Sequence, residues 1–455
     1  MLLKMIFPSI TMWKVFNAQV ADKKRGILPL INWEILTMAF VLHVYMSISM
    51  INLLVTGIFS LFVLSACTHV NDSPLCVLDI KEAVDNGESV NLSEYANSVE
   101  YIPLESTRES FLNSNSQFYC AGDYLYIFSR SLFNVKDVHV FNNKGKFIKK
   151  IGKYGRGPGE IAMFCGLTIE NDADPVEICV VGNDKIVIYD NYNNVVKEIP
   201  FDKIMKETGT EIKGLLSGFK YVADGKYCLL ANAGNGNLRN EVLLTIDSNG
   251  RVVSKEEIGK ELIIQRNING RTLSFSKSSD TYVRGGTVFV MTPWRDTVYT
   301  IESGVKNIEY VFQFGKRGFG EVASNNNVYM IQSLLETDKF IAHELTFPTH
   351  HFPGYYKQNE VVPENSSACL IYDKEKKSYR ALKHDSRFVI SGFKNDIDNG
   401  VPFWPSSVTQ GAMYQIISAE DFISMANIAS SSKMKEVAAT LTEESNPVMV
   451  VATLK

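Results

Sequence analysis

Four short stretches hold the residues whose types and spacing could do chemistry. In the first, Gly152, Gly155, Gly157 and Gly159 surround Lys153, Arg156 and Pro158 and run into Glu160. Glycines let backbone N–H groups converge on an anion, and an arginine beside them adds a fork of donors. The stretch is not a P-loop, because no Gly-Lys-Ser/Thr ends it and no helix-forming run follows directly. A shortened echo, GKRGFGE, starts at Gly315 and carries Lys316 and Arg317. A loop that recurs is first an architectural part, since the commonest use of glycine is a permissive backbone. Anion binding by Lys153, Arg156, Glu160, Lys316 and Arg317 is therefore the secondary expectation.

The second stretch is Asn395-Asp396-Ile397-Asp398-Asn399-Gly400. It begins like a calcium loop, but the glycine falls fifth counted from Asp396, and counting from Asn395 puts Ile397 in a ligand place. A turn in which Asp and Asn bond their own backbone is favoured, with Asp396 and Asp398 kept as weak ligand candidates. In the third, Phe403 and Trp404 lie between Pro402 and Pro405. They suit either a stacking surface for a sugar or peptide or a hydrophobic plug, and buried aromatics are common core material. The fourth is His350-His351, whose side chains diverge on an extended backbone. There is no HExxH, no GxSxG, no CxxC and no zinc spacing, so the sequence points to no catalytic residue, no metal and no cofactor. Six of the seven cysteines read as small hydrophobes rather than a disulfide framework. A formal net charge of -4, with no basic run, makes nucleic acid an unsuitable partner.

The seventh cysteine is different. From Ile35 to Ala66 there is no Asp, Glu, Lys or Arg, a run long enough to span a bilayer. It ends on Leu64-Ser65-Ala66-Cys67, small residues before a thiol, as in a lipobox. Cys67 is expected to carry a lipid, with THVNDSP as the tether. The leader is longer than an ordinary signal peptide, and an internal start at Met38, Met46 or Met50 would shorten it. An uncleaved anchor is the competing reading. Both put the bulk of the chain outside the cytoplasm.

These candidates must be held by strands. Strand, tight turn and strand recur: VHVF-NNKG-KFIKKI, then KIVIYD-NYNN-VVKEIPF, EVLLTID-SNG-RVVSKEEI, DTVYTIE-SGVKN-IEYVFQF and ACLIYD-KEKK-SYRALKH. Asn and Gly supply the positive φ that tight hairpins need. Aligning Phe141, Tyr189, Ile246, Ile301 and Tyr372 gives separations of 48, 57, 55 and 71 residues. A period near 50 with several strands per unit is a propeller signature. The wide last gap predicts an insertion over about residues 322 to 366, read as a long loop with some helix. A sixth unit is expected to begin at RFVISG (387–392), and residues 419 to 444 read as helical. SVEYIPLE and PVMVVATLK are the strands expected to close the ring.

EYIPLEST, VFNNKGKFIKKIG, GKYGRGPGE, NDIDNGVPFWP and NPVMVVATLK, in that order, resemble the six-bladed β-propeller lipoproteins of Bacteroidetes-type bacteria. The resemblance covers about residues 98 to 455. It implies an NHL-like propeller tethered to the envelope and supplies no reaction. The expected fold is thus all-β, a six-bladed β-propeller with a few short helices near the C-terminus and in an insertion. The expected domains are a leader (1–66), a lipid-anchored tether (67–97) and the propeller (98–455). The expected function is an envelope-anchored binding or scaffold module for a glycan, peptide or protein, held to the membrane through Cys67. The alternative is a hydrolase or lyase with carboxylates or a metal in the channel.

Overall fold

Antiparallel four-stranded sheets repeat along the computed structural model. It describes residues 75–112, 116–129, 138–170, 176–209, 219–233, 240–268, 271–315, 317–318, 330–352, 365–385, 387–388, 390–409 and 411–455. Cys67, the uncharged run before it and Lys316 lie outside the described residues, as does the side chain of Arg317.

The described chain begins with strand β1 (Cys76–Asp79), helix α1 (Ile80–Asp85) and strand β2 (Ala96–Pro103). Blade I is β3 (Ser116–Ala121), β4 (Tyr124–Ser129), β5 (Val138–Asn142) and β6 (Phe147–Ile151). Blade II is β7 (Phe164–Glu170), β8 (Glu177–Gly182), β9 (Lys185–Tyr189) and β10 (Val195–Pro200), followed by α2 (Phe201–Thr208). Blade III is β11 (Lys220–Ala223), β12 (Lys226–Ala233), β13 (Asn240–Asp247) and β14 (Val252–Lys260). A hairpin, β15 (Leu262–Ile268) with β16 (Arg271–Lys277), leads to blade IV: β17 (Asp280–Arg284), β18 (Thr287–Met291), β19 (Thr297–Glu302) and β20 (Val305–Phe314). The short β21 (Arg317–Gly318) folds back on β20. Blade V is β22 (Met330–Glu336), β23 (Phe340–Pro348), β24 (Asn365–Asp373) and β25 (Ser378–Leu382). A two-stranded piece, β26 (His384–Asp385) with β27 (Ile390–Ser391), precedes blade VI.

Blade VI is built from both ends of the described chain. Its inner strands are β28 (Ser407–Val408) and β29 (Ala412–Ile417). Helices α3 (Ala419–Ile428) and α4 (Ser432–Ala438) follow, then β30 (Val448–Leu454). The outer strand is β2, paired antiparallel to β30 from Ala96↔Leu454 to Pro103↔Val448. Six apolar clusters, one between each pair of neighbouring blades, complete the ring. The all-β, six-bladed propeller is thus the fold.

The blade interiors follow from residue type. In β9, Ile186, Val187, Ile188 and Tyr189 are all buried, because a neighbouring blade covers each face of the sheet. The outer β14 alternates, since its far edge meets water.

Three expectations need correction. The 322–366 gap is not a long loop: β22 and β23, the inner half of blade V, occupy most of its described part, and its helical piece is the single 3-10 turn Thr349–His351. Because β23 is covered on both faces, His343 and Glu344 broke up its apolar run without exposing it. Blade VI does not begin at RFVISG; its first strand is Ser407–Val408. The helical stretch is also split, because Ser431 caps α4 by accepting from the Met434 N–H and ends α3 before it. Among the described residues, no helix is long and apolar enough to cross a membrane.

The lead-in to the ring is a belt. β1 adds parallel to the edge of β20 in blade IV. Asp79 caps α1 by accepting from the N–H groups of Lys81 and Glu82, and Ile80, Ala83 and Val84 fill the cluster between blades IV and V. Glu88 then bridges to Leu382 of blade V and Asn91 to Lys394, before β2 enters blade VI.

Candidate functional site

The glycine-rich stretch follows β6 and leads to β7, and it is strapped onto blade II. The Gly152 N–H donates to Asn193 Oδ1 at 2.9 Å, and the Gly157 N–H to Glu160 Oε2 at 2.9 Å. The Gly159 N–H donates to Glu198, whose other oxygen takes Lys185 Nζ at 2.9 Å. Tyr189 Oη donates to the Gly159 carbonyl at 2.7 Å, and Lys185 Nζ to the Gly157 carbonyl at 3.0 Å. The amides that would cradle an anion therefore already hold side chains of this chain, two of them carboxylates. Glu160 is part of that filling. Lys153 and Arg156 point outward from the strap and are exposed. The echo at Gly315 likewise follows the fourth strand of its blade, and its Gly315 N–H donates to Asp79 Oδ1 of the belt at 3.0 Å.

Asp396 and Asp398 tie the closure together. Asp396 accepts from the Ser93 N–H at 3.0 Å and from Ser93 Oγ at 2.6 Å. Burial opposes its ionisation, but these bonds outweigh burial and hold its carboxyl below the usual range. Asp398 accepts from Tyr101 Oη of β2 at 3.1 Å and from Ser431 Oγ at 2.7 Å. The turn thereby links belt, closing strand and α4, rather than only its own backbone. Among the described residues, no group of three His, Cys, Asp or Glu side chains is placed to hold a metal. Trp404 is 7% exposed, tilted against Phe393 with ring centroids 5.7 Å apart. It packs between blades V and VI and leaves no open face for stacking.

None of these residues meets another at the axis; the polar groups that do come from the inner strands. Lys220 opens β11 in blade III, and its Nζ lies 3.5 Å from Tyr119 Oη of β3 in blade I and 5.9 Å from the ring centroid. Blades I and III are not neighbours, so this contact runs across the space that the inner strands enclose. Asp280 opens β17 in blade IV and acts on the same ammonium. Burial disfavours the charge on Lys220, but Tyr119 and Asp280 outweigh it and raise its pKa above the ordinary lysine value. Arg295, in the turn between β18 and β19, donates to Asp280 Oδ2 at 3.2 Å and to the Ile331 carbonyl of blade V at 3.2 Å. It does so from a left-handed backbone, φ 59°, which costs a non-glycine residue about 1–2 kcal/mol and which the surrounding bonds maintain. Four blades thus contribute to one polar mouth holding an ammonium, a guanidinium, a carboxylate and a phenol.

The opposite ends of the inner strands hold a closed network. The Glu336 side chain is fully buried; it accepts from Tyr282 Oη, from Tyr310 Oη at 2.8 Å and from Lys374 Nζ at 2.5 Å. Burial first, then the Glu336 charge, pushes both phenols up. With Arg284 Nε also 3.5 Å from Glu336 Oε1, this network is a junction between blades IV and V.

Sequence reasoning missed the mouth because Tyr119, Lys220, Asp280 and Arg295 are scattered over the chain. The one local signal is a polar residue opening a short strand just before an apolar run, as in KYVA and DTYVR.

A family model described as a domain of unknown function (DUF4934) matches residues 75–453. A search of curated proteins returned no match. Among solved structures, a Bacteroides fragilis protein described as exported is 14% identical over 84% of this chain and 100% of its own, with a TM-score of 0.56. A member of the DUF4221 family from Bacteroides vulgatus is 12% identical over 79% of this chain and 97% of its own, with a TM-score of 0.37. The first likeness is one of fold, and the second carries no argument.

Proposed function

Because the chain belongs to the DUF4934 family, whose description names no activity, its function has to be read from its own residues, and we propose that it is an extracytoplasmic binding module. The observation that carries this reading is the axial mouth, where Tyr119 of blade I, Lys220 of blade III and the Asp280–Arg295 pair of blade IV converge. Propellers host many chemistries, so the fold itself does not choose between them. A half-buried ammonium beside a fixed guanidinium is suited to holding a polar ligand by charge-assisted hydrogen bonds. A pair of catalytic carboxylates would need a second acid at this place, and among the described residues that form the mouth Asp280 is the one carboxylate.

Localisation rests on different features. The uncharged run from Ile35 to Ala66 and the Leu64-Ser65-Ala66-Cys67 box support export and lipid attachment at Cys67. The similar fold of an exported Bacteroides protein agrees with that reading. On this proposal the chain is an envelope lipoprotein of NHL-like propeller type, anchored to the outer membrane.

Two experiments test the proposal. A glycan and peptide screen on the full chain is expected to return a ligand whose binding is lost in Arg295→Ala and kept in Arg156→Ala. Loss in Arg156→Ala alone would return the site to the glycine-rich strap. Mass spectrometry of the mature protein is expected to find an acylated Cys67 at the N-terminus; an intact Met1 would overturn the lipid attachment.

A further inference from the structure

The mouth also has a charge count. Among the described side chains in contact there, Lys220 and Arg295 carry one positive charge each and Asp280 one negative, while the nearby buried Glu241 is turned to Ser279, so the contacting groups have a single unbalanced cation. Arg295 is already engaged by Asp280 and by the Ile331 carbonyl. Lys220 is not engaged to the same degree. An ammonium has three N–H donors, and among the described residues its one hydrogen-bond partner is Tyr119 Oη at 3.5 Å, at the long limit of such a bond. Two donors and the excess charge therefore face the axis. Tyr119 Oη is itself free to donate to an acceptor placed beside the ammonium.

Resting on the binding-module reading above, we propose that the axial mouth binds a small polyhydroxylated monocarboxylate, with the ligand carboxylate on Lys220 Nζ and Tyr119 Oη. One carboxylate neutralises the cluster. A phosphate dianion would leave excess negative charge facing Asp280, and among the described residues the mouth offers no glycine-rich nest of amides to disperse it. A hydroxylated ligand fits better than an apolar peptide side chain, because among the described residues none of the exposed large hydrophobics belongs to the inner strands β3, β7, β11, β17, β22 or β28. Asp280 and the remaining Arg295 donors are then available to ligand hydroxyls.

Glucuronate is the simplest probe, with glucose and glucose 6-phosphate as the neutral and dianionic comparisons. Isothermal titration on the full chain is expected to show glucuronate binding at least tenfold tighter than either. Lys220→Met is expected to weaken glucuronate at least tenfold, Lys220→Arg to recover most of the loss, and Tyr119→Phe to weaken it several-fold. Circular dichroism confirms that each variant is folded, and Tyr119→Phe keeps the test open if Lys220→Met is not. Equal binding of glucuronate and glucose, or glucuronate binding indifferent to Lys220→Met, overturns the proposal. So does a preference for glucose 6-phosphate. A peptide or neutral glycan bound at the Arg295 mouth without need of Lys220 overturns this proposal but leaves the binding module standing. A screen in which no glycan, sugar acid or peptide binds overturns both.

Discussion

At Gly159 the backbone has φ 70°, and an added Cβ would stand 2.5 Å from Val195 Cγ2. Both the left-handed conformation and the contact with blade II exclude a side chain. Gly159→Ala is therefore expected to cost about 1–3 kcal/mol in chemical denaturation, while Arg156→Ala on the same loop stays within about 0.5 kcal/mol. The glycines were legible in the sequence as a loop needing special backbone, but not the carboxylates that fill it, because Glu198 arrives from another strand. His343 gives a second case. It is wholly buried against Phe312, with its ring nitrogen 2.6 Å from Tyr379 Oη, and burial lowers its pKa to about 4. The unfolded chain binds a proton near pH 6.5 that the folded chain refuses, so stability is full above pH 6.5 and falls as the pH drops towards 4. The loss from this group is about 3 kcal/mol at about 1.4 kcal/mol per pH unit. Denaturation midpoints of wild type and His343→Gln are expected to diverge above pH 6.5 and converge towards pH 4. A constant gap across that range would sink the assignment.

Strands differ in how plainly they announce themselves. The middle strands of each blade are covered on both faces and read as continuous Val, Ile, Leu and Tyr, as in β8, β9, β12 and β13. Their order and period were visible in the residues Phe141, Tyr189, Ile246, Ile301 and Tyr372, all of which lie in the third strand of a blade. The inner strands were not visible. β11 and β28 have four and two residues, and polar side chains at the axis interrupt their pattern. The site lies on those strands, which is why the fold was more legible than the function. The belt makes a prediction at this scale. Asp79 caps α1 and also receives the Gly315 N–H, so it serves the belt and the exit from blade IV together. Asp79→Ala is expected to cost about 1–2 kcal/mol. Amide hydrogen exchange should then rise in residues 76–85 and near Gly315, and not in blades I to III. A rise confined to α1 would mean that the Gly315 contact is idle.

In the whole ring, no blade is complete without its neighbours, and blade VI is not complete without both ends of the described chain. β30 pairs with β29 on one side and β2 on the other, while Met449 and Val450 face different apolar clusters. Removing residues 448–455 would open two blade interfaces and expose the edges of β2 and β29. The truncated chain is expected to show no single cooperative calorimetric transition and to associate in solution. A sharp transition with a modest drop in midpoint would instead mean that five blades fold without closure.

The pairing of β2 with β30 also sets a clock. β2 is synthesised before its partner β30, which follows more than three hundred residues later. Throughout that interval a strand with Val99 and Tyr101 on its buried positions lacks β30, and until β20 is made the belt beside it has no blade IV to grip. The ring therefore cannot close before β30 has been made, and it closes in one late, long-range step.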